Sequence, residues 1–214
     1  MAQSDPFPDA SLAVLERQWP GARAALKRRI LASALGTVNR LGIDGATIEL
    51  IRADCGASVG NLYHHFGNRE GLLAALFFCG LDDQHALQQQ YLAAAHGARA
   101  GIEAMVFSYV DWISDHPALA RFMFQARFVV SQGPQAEVLA QRNRSRYGAA
   151  LAWLREHSDA LGDTPRALLP SLIVGAAENY SRAWLSGRVK ESPHTQRRWL
   201  AQAAWRSLGL PDDA

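Results

Sequence analysis

Residues 47–66 read TIELIRADCGASVGNLYHHF. Thr47 heads a run that stops at Gly56, and Ser58 heads a second run that stops at Gly67-Asn68. A Thr or Ser just ahead of a periodic run is an N-cap: its side-chain oxygen accepts from an amide that the first helical turn leaves unpaired. Glu49 falls where the helix dipole favours an acid. The spacing predicts two short helices, the second of about seven residues, joined by Cys55-Gly56-Ala57. Gly56 supplies the backbone freedom that a tight interhelical turn needs. In the second helix, Val59, Leu62 and Phe66 are predicted to face inward. Two short helices with this turn have the dimensions of a helix-turn-helix. In such units the second helix enters the major groove and the first crosses the backbone.

The flanking sequence is helical in both directions. Upstream from Arg23, the apolar residues Leu26, Ile30, Leu31, Ala34, Leu35, Val38 and Leu41 fall on one helical face, and Gly42 and Gly45 punctuate its end. Downstream, a long helix is predicted from near Arg69 to about Ala95. Further helices are predicted at about 98–115, 117–131, 134–160, 165–187 and 194–208. The breakers are His116-Pro117, Gly133-Pro134, Gly162 to Pro165 and Ser192-Pro193. No segment alternates as a strand would, so the expected class is all-α, with about nine helices. Residues 1–22 hold three prolines and mixed charges. They are expected to form a loosely held extension, although Leu12, Leu15 and Trp19 share helical spacing and offer a short amphipathic turn as the alternative.

Composition narrows the function classes. The chain has 214 residues, 49% of them hydrophobic, enough for a sizeable core. No stretch approaches 18 uninterrupted apolar residues, and the run Leu168 to Ala177 is broken by Pro170 and Ser171, which argues against a membrane span. The N-terminus lacks the basic start and apolar stretch of a secretory signal, so a cytoplasmic location is expected. Cys55 and Cys79 give neither a disulfide framework nor zinc spacing. His64 and His65 point about 100° apart on a helix, so no metal site is expected. The net charge is only +2, but its distribution is uneven: between Arg23 and Arg69, seven basic residues stand against three acids. That local excess suits a DNA contact patch and equally suits a solvated helix face.

The second short helix presents Ser58, Gly60, Asn61, Tyr63 and His64 outward. A glycine inside a helix costs about 1 kcal/mol relative to alanine. Two readings account for it: close approach of the backbone to DNA, or relief of crowding against the preceding helix. With Thr47-Ile48, Ile51, Cys55-Gly56-Ala57-Ser58, Gly60, Leu62-Tyr63-His64-His65-Phe66 and Arg69-Glu70-Gly71-Leu72-Leu73, this stretch resembles the TetR family of one-component transcriptional regulators. It departs from the family pattern at Arg52, where a small alanine is usual, at Ala57 and at Arg69. A looser resemblance to the family's effector domains runs through 115–122 and 183–188.

The resemblance implies roles position by position. Thr47, Tyr63 and Arg69 resemble phosphate contacts, which fix register. Ser58, Asn61 and His64 sit where the family reads base edges, and an Asn pairs bidentately with adenine. His65 resembles a histidine that orders the helix, while Lys27 and Arg28 are candidates for added phosphate contacts. The implied organisation is an N-terminal extension (1–22), a helix-turn-helix DNA-binding domain (23–70) and a helical effector-binding and dimerisation domain (71–214). The implied partners are a double-stranded operator, a small effector and a second copy of the chain.

The candidate effector contacts are Trp112, Phe124, Arg127, Phe128 and Trp184, since cavities between bundle helices are common ligand sites. Taken singly, each of these aromatics reads better as core, the ligand reading being collective, and Arg127 suits an ion pair at least as well. Glu178 is expected to pair with Arg182 one turn on. No nucleophile–base spacing, phosphate loop or metal helix is present, so no enzyme and no cofactor is expected. The competing function is an all-helical small-molecule-binding protein whose helix-turn-helix no longer binds DNA.

Overall fold

The computed structural model describes residues 9–157, 164–165 and 167–210. Among these, ten α-helices and no strand are present: α1 (Asp9–Gln18), α2 (Ala25–Gly45), α3 (Ile48–Cys55), α4 (Val59–Phe66), α5 (Arg69–Ala93), α6 (Ala98–Asp115), α7 (Pro117–Gln132), α8 (Ala136–His157), α9 (Leu169–Leu185) and α10 (Arg197–Ser207). All nine predicted helices are there, and α1 is additional. A 3-10 turn at Ala22–Ala24 precedes α2, and another at Pro193–Gln196 precedes α10. Within α2 the backbone breaks at Gly42, whose φ of 77° lies outside the helical region. That break explains why Leu41, the last member of the predicted stripe, is exposed. Residues 158–160 of the helix predicted at 134–160 and Gly162 of its breaker lie outside the described residues.

The helices pack as two units. The first comprises residues 1–83 and 116–141, the second residues 84–115 and 142–214. This division follows a different line from the sequence-based one at residue 70, because α7 packs against α2. In the first unit, Ile30, Leu31, Leu35 and Val38 of α2 are buried with Ile51, Leu62 and Leu72. Ser33 ties α2 to α3, its hydroxyl lying 3.0 Å from the Ile51 carbonyl and 2.9 Å from the Asp54 carboxylate. The Asn39 side-chain amide donates to the Ala118 carbonyl of α7 at 3.1 Å.

The extension is not loose over its described part. Ser11, Val14 and Leu15 of α1 are buried, and Arg17 grips Asp83 of α5 with two hydrogen bonds of 2.8 and 3.0 Å. The inward face is therefore set by Ser11, Val14 and Leu15 rather than by Leu12, Leu15 and Trp19. Burial of these two aliphatic side chains contributes about 1.5–3 kcal/mol each to holding α1 in place, and the Arg17–Asp83 pair adds to it.

In the second unit, α6, α9 and α10 pack around Ile102, Val106, Val110, Ile173, Ala177 and Trp205. Inside this core edge sits a carboxylate, Asp111. Tyr91 Oη donates to it at 2.8 Å, Arg197 Nη1 at 2.7 Å, and His194 Nδ1 lies 2.6 Å away. These contacts join α5, α6 and the start of α10 at one point. The predicted Glu178–Arg182 pair also forms, with Arg182 Nη2 2.6 Å from Glu178 Oε1.

Candidate nucleic-acid interface

Both N-caps read from the sequence are present. Thr47 Oγ1 accepts from the Leu50 amide at 3.3 Å, and Ser58 Oγ accepts from the Asn61 amide at 3.1 Å. Each hydroxyl still carries a proton to donate, and both residues are exposed. At the end of α3, Gly56 adopts φ 64° and its amide donates to the Arg52 carbonyl at 2.9 Å. This left-handed residue turns the chain within two positions and starts α4.

The turn also corrects the predicted inward face of α4. Ala57 is only 4% exposed and fills the position that the spacing gave to Val59. Val59 is instead 48% exposed, while Leu62 is buried and Phe66 half-buried. One face of α4 and its cap is thus left to solvent: Ser58, Val59, Gly60, Asn61, Tyr63 and His64. Val59 is the member of this strip that sequence reasoning missed. No periodicity signalled it, because Ala57, ahead of the cap, takes the inward place.

Gly60 now distinguishes between its two readings. A Cβ built there would meet only Ser58 Oγ, at 3.8 Å, which is ordinary van der Waals contact. Nothing among the described residues crowds this position, so relief of crowding against α3 is not the reason for the glycine.

The basic residues divide into two groups. Arg69 Nε donates to the Ala46 carbonyl at 2.8 Å, and its Nη2 donates to the Ile43 carbonyl. It thereby ties the start of α5 to the loop that precedes α3. Arg28 Nη1 donates to the carbonyls of Trp19 and Gly21 at 2.6 and 2.8 Å. Lys27 Nζ sits 4.4 Å from the Trp19 ring centre and 5.8 Å from that of Phe66. These three cations are thus partly occupied within the first unit. Arg23, Arg29, Arg40 and Arg52 are exposed. Exposure of Arg52 means that this departure from the family pattern disturbs no packing between α3 and α4.

The residues expected at an effector site are distributed over both units. Trp112 on α6 is buried in the second unit, and Trp184 on α9 is half-buried there. Phe124, Arg127 and Phe128 lie on α7 in the first unit; Phe124 is half-buried, Arg127 exposed, and Phe128 74% exposed. Sequence reading did not single out Ser181 of α9. It is fully buried, and its hydroxyl has no hydrogen-bond partner among the described residues. Nor did it single out Asp111, although an acid inside the run MVFSYVDWIS was a legible signal. Among the described residues, no three His, Cys, Asp or Glu side chains cluster as metal ligands, and no helix is long and apolar enough to cross a membrane.

Residues 30–76 match the family model of bacterial regulatory proteins, tetR family. The HTH-type transcriptional regulator BetI of Burkholderia thailandensis is 29% identical over 92 residues, which is 42% of this chain and 47% of that protein. The HTH-type transcriptional repressor KstR2 of Rhodococcus jostii is 28% identical over 91 residues, 42% of this chain and 45% of that protein. The chain thus spans about half the length of the curated relatives it matches. A TetR family transcription regulator from Marinobacter aquaeolei VT8 superposes with a TM-score of 0.72 at 17% identity, covering 86% of this chain and 96% of that one. At that identity the likeness is one of fold.

Proposed function

We propose that this chain, whose residues 30–76 match the tetR family model, is a regulator of that family: a cytoplasmic repressor that binds a near-palindromic operator as a homodimer and leaves it when a small, largely apolar effector binds. The observation that carries the DNA-binding part is Gly60. The helix tolerates a glycine at a position that no neighbour among the described residues crowds, in the middle of its most polar exposed strip. A partner that approaches the backbone closely accounts for that cost. Asn61, Ser58 and His64 are assigned to base edges, and exposed Val59 to a thymine methyl. Thr47 and Tyr63 are assigned to phosphates. Arg69 supports the interface by holding the loop before α3, Lys27 by its contact with Phe66 at the end of α4, and Arg28 only indirectly, by fixing the segment between α1 and α2.

The dimer reading rests on α10, where Trp199 is 72% exposed next to an α9 whose Ala176 is also exposed. A large aromatic left to solvent is a common mark of an interface. A two-fold dimer presents two recognition helices, so the operator mirrors the symmetry of the protein. Support for an effector in the second unit comes from the unpaired, buried Ser181 hydroxyl and half-buried Trp184, both on α9. Release then requires differential affinity of the effector for two arrangements of the dimer. Selection from random-sequence DNA, followed by footprinting and light scattering, tests the reading. The expected result is a dimer protecting an inverted repeat. No enriched sequence, or a monomer on a single half-site, overturns it.

A further inference from the structure

A cleft lies within the first unit, away from the exposed face of α4. It measures about 480 Å³ and is bounded by α1, α2 and the last turn of α3. That volume is within the range of roughly 300–1,000 Å³ typical of small-molecule sites. Its apolar wall is made by Leu12 and Leu15 of α1, Ala32 of α2 and Cys55 of α3. Leu15 and Cys55 are buried, whereas Leu12 is 39% exposed at the mouth. The remaining lining is ionic, and the hydrogen bonds show which charges are already satisfied. Arg28 is taken by the Trp19 and Gly21 carbonyls and lies 3.8 Å from Glu16. Asp54 has the Ser33 hydroxyl at 2.9 Å. Arg29 is exposed on the same wall and has no partner among the described residues.

We propose that this cleft binds a compact apolar monocarboxylate, with its body on Leu12, Leu15, Ala32 and Cys55 and its carboxylate on Arg29. A guanidinium matches a carboxylate in charge and in planar geometry, and the apolar wall repays the removal of the ligand body from water. A cationic ligand fits less well, because Glu16 and Asp54 each already face a donor and Arg29 would repel it. The site is distinct from the effector reading, which concerns the second unit. It also bears on α3, because Cys55 both lines the cleft and begins the turn into α4. Occupancy is therefore expected to change operator affinity, a consequence that rests on the DNA-binding reading.

The test is a titration of the full chain, labelled with carbon-13 at Leu and Ala methyls, with 2-naphthoate. Saturable shifts are expected at the Leu12, Leu15 and Ala32 methyls. Arg29→Gln is expected to raise the dissociation constant roughly tenfold, the effect of one lost charge-assisted hydrogen bond. Arg29 is exposed, so this variant folds as the parent does. Shifts confined to other methyls, or none, overturn the site. Shifts at these methyls with unchanged affinity in Arg29→Gln overturn the carboxylate assignment. Operator affinity in the same series separates the two readings: a chain that binds naphthoate here but no DNA keeps the cleft and loses the regulator.

Discussion

Replacing Gly60 by Ala separates what this residue does for the fold from what it does for a partner. Within α4, alanine is favoured over glycine by about 0.8–1 kcal/mol. The added methyl finds only Ser58 Oγ at 3.8 Å, so no steric cost offsets that gain. In a chain of this size, such a gain raises the unfolding midpoint by roughly 2–4 °C. On DNA the sign reverses. The methyl stands on the approach side of α4, and the helix has to withdraw until it clears the groove. Hydrogen bonds from Asn61 and Tyr63 weaken steeply as they lengthen. Loss of two such contacts costs about 2–3 kcal/mol, or roughly 30–150-fold in Kd. Calorimetry of the free protein and fluorescence anisotropy on the selected operator, at one fixed salt concentration, read the two effects independently. A stabilised variant with parental affinity would refute the close-approach reading. A destabilised variant would mean that α4 is crowded after all.

Other substitutions test the remaining assignments. Asn61→Ala is expected to relax preference at one base pair by about 1–3 kcal/mol, whereas Tyr63→Ala weakens all sequences alike; a binding-site selection on each variant tells them apart. Arg69→Ala is expected to lower the unfolding midpoint as well as operator affinity, because it frees the loop holding the Ala46 and Ile43 carbonyls; unchanged stability in a denaturant titration would return Arg69 to a purely phosphate-contacting role. Asp111→Ala leaves Arg197 and Tyr91 without their shared acceptor; because Arg197 is partly exposed and can turn to water, the cost is about 1–3 kcal/mol, visible as a lower denaturation midpoint of the second unit. Cys79 is held as the neutral thiol, its pKa pushed up to about 12 by burial first and then by the nearby Asp83 and Asp82 carboxylates. N-ethylmaleimide is therefore expected to leave Cys79 unmodified at pH 7–8 in the folded chain, and peptide mass mapping checks this.

What could be read from the sequence depended on the range of the interaction. The caps at Thr47 and Ser58 and the turn at Gly56 are satisfied within three or four residues, so residue type and spacing specify them fully. The inward face of α4 was legible only in part, because Ala57 reaches the core before Val59 and no periodicity records which of two adjacent apolar residues arrives first. Burial of α1 was hidden for a related reason: its inward face includes Ser11, which an apolar count passes over.

The basic residues show the limit most clearly. Arg28 and Arg69 are bound by backbone carbonyls up to 26 positions away, and a carbonyl carries no signature of residue type. A cation read as a DNA contact from its place in a motif is therefore, in the folded chain, first a strut. The two roles compete for the same donors. Arg69 has Nε and Nη2 engaged and Nη1 3.9 Å from Glu70, so little of its guanidinium is left for a phosphate. Under the proposed function its contribution to DNA affinity passes chiefly through the loop before α3, which it holds. Asn61 and Tyr63 on α4 are exposed, and it is to them that the proposed function assigns the direct reading of sequence and register.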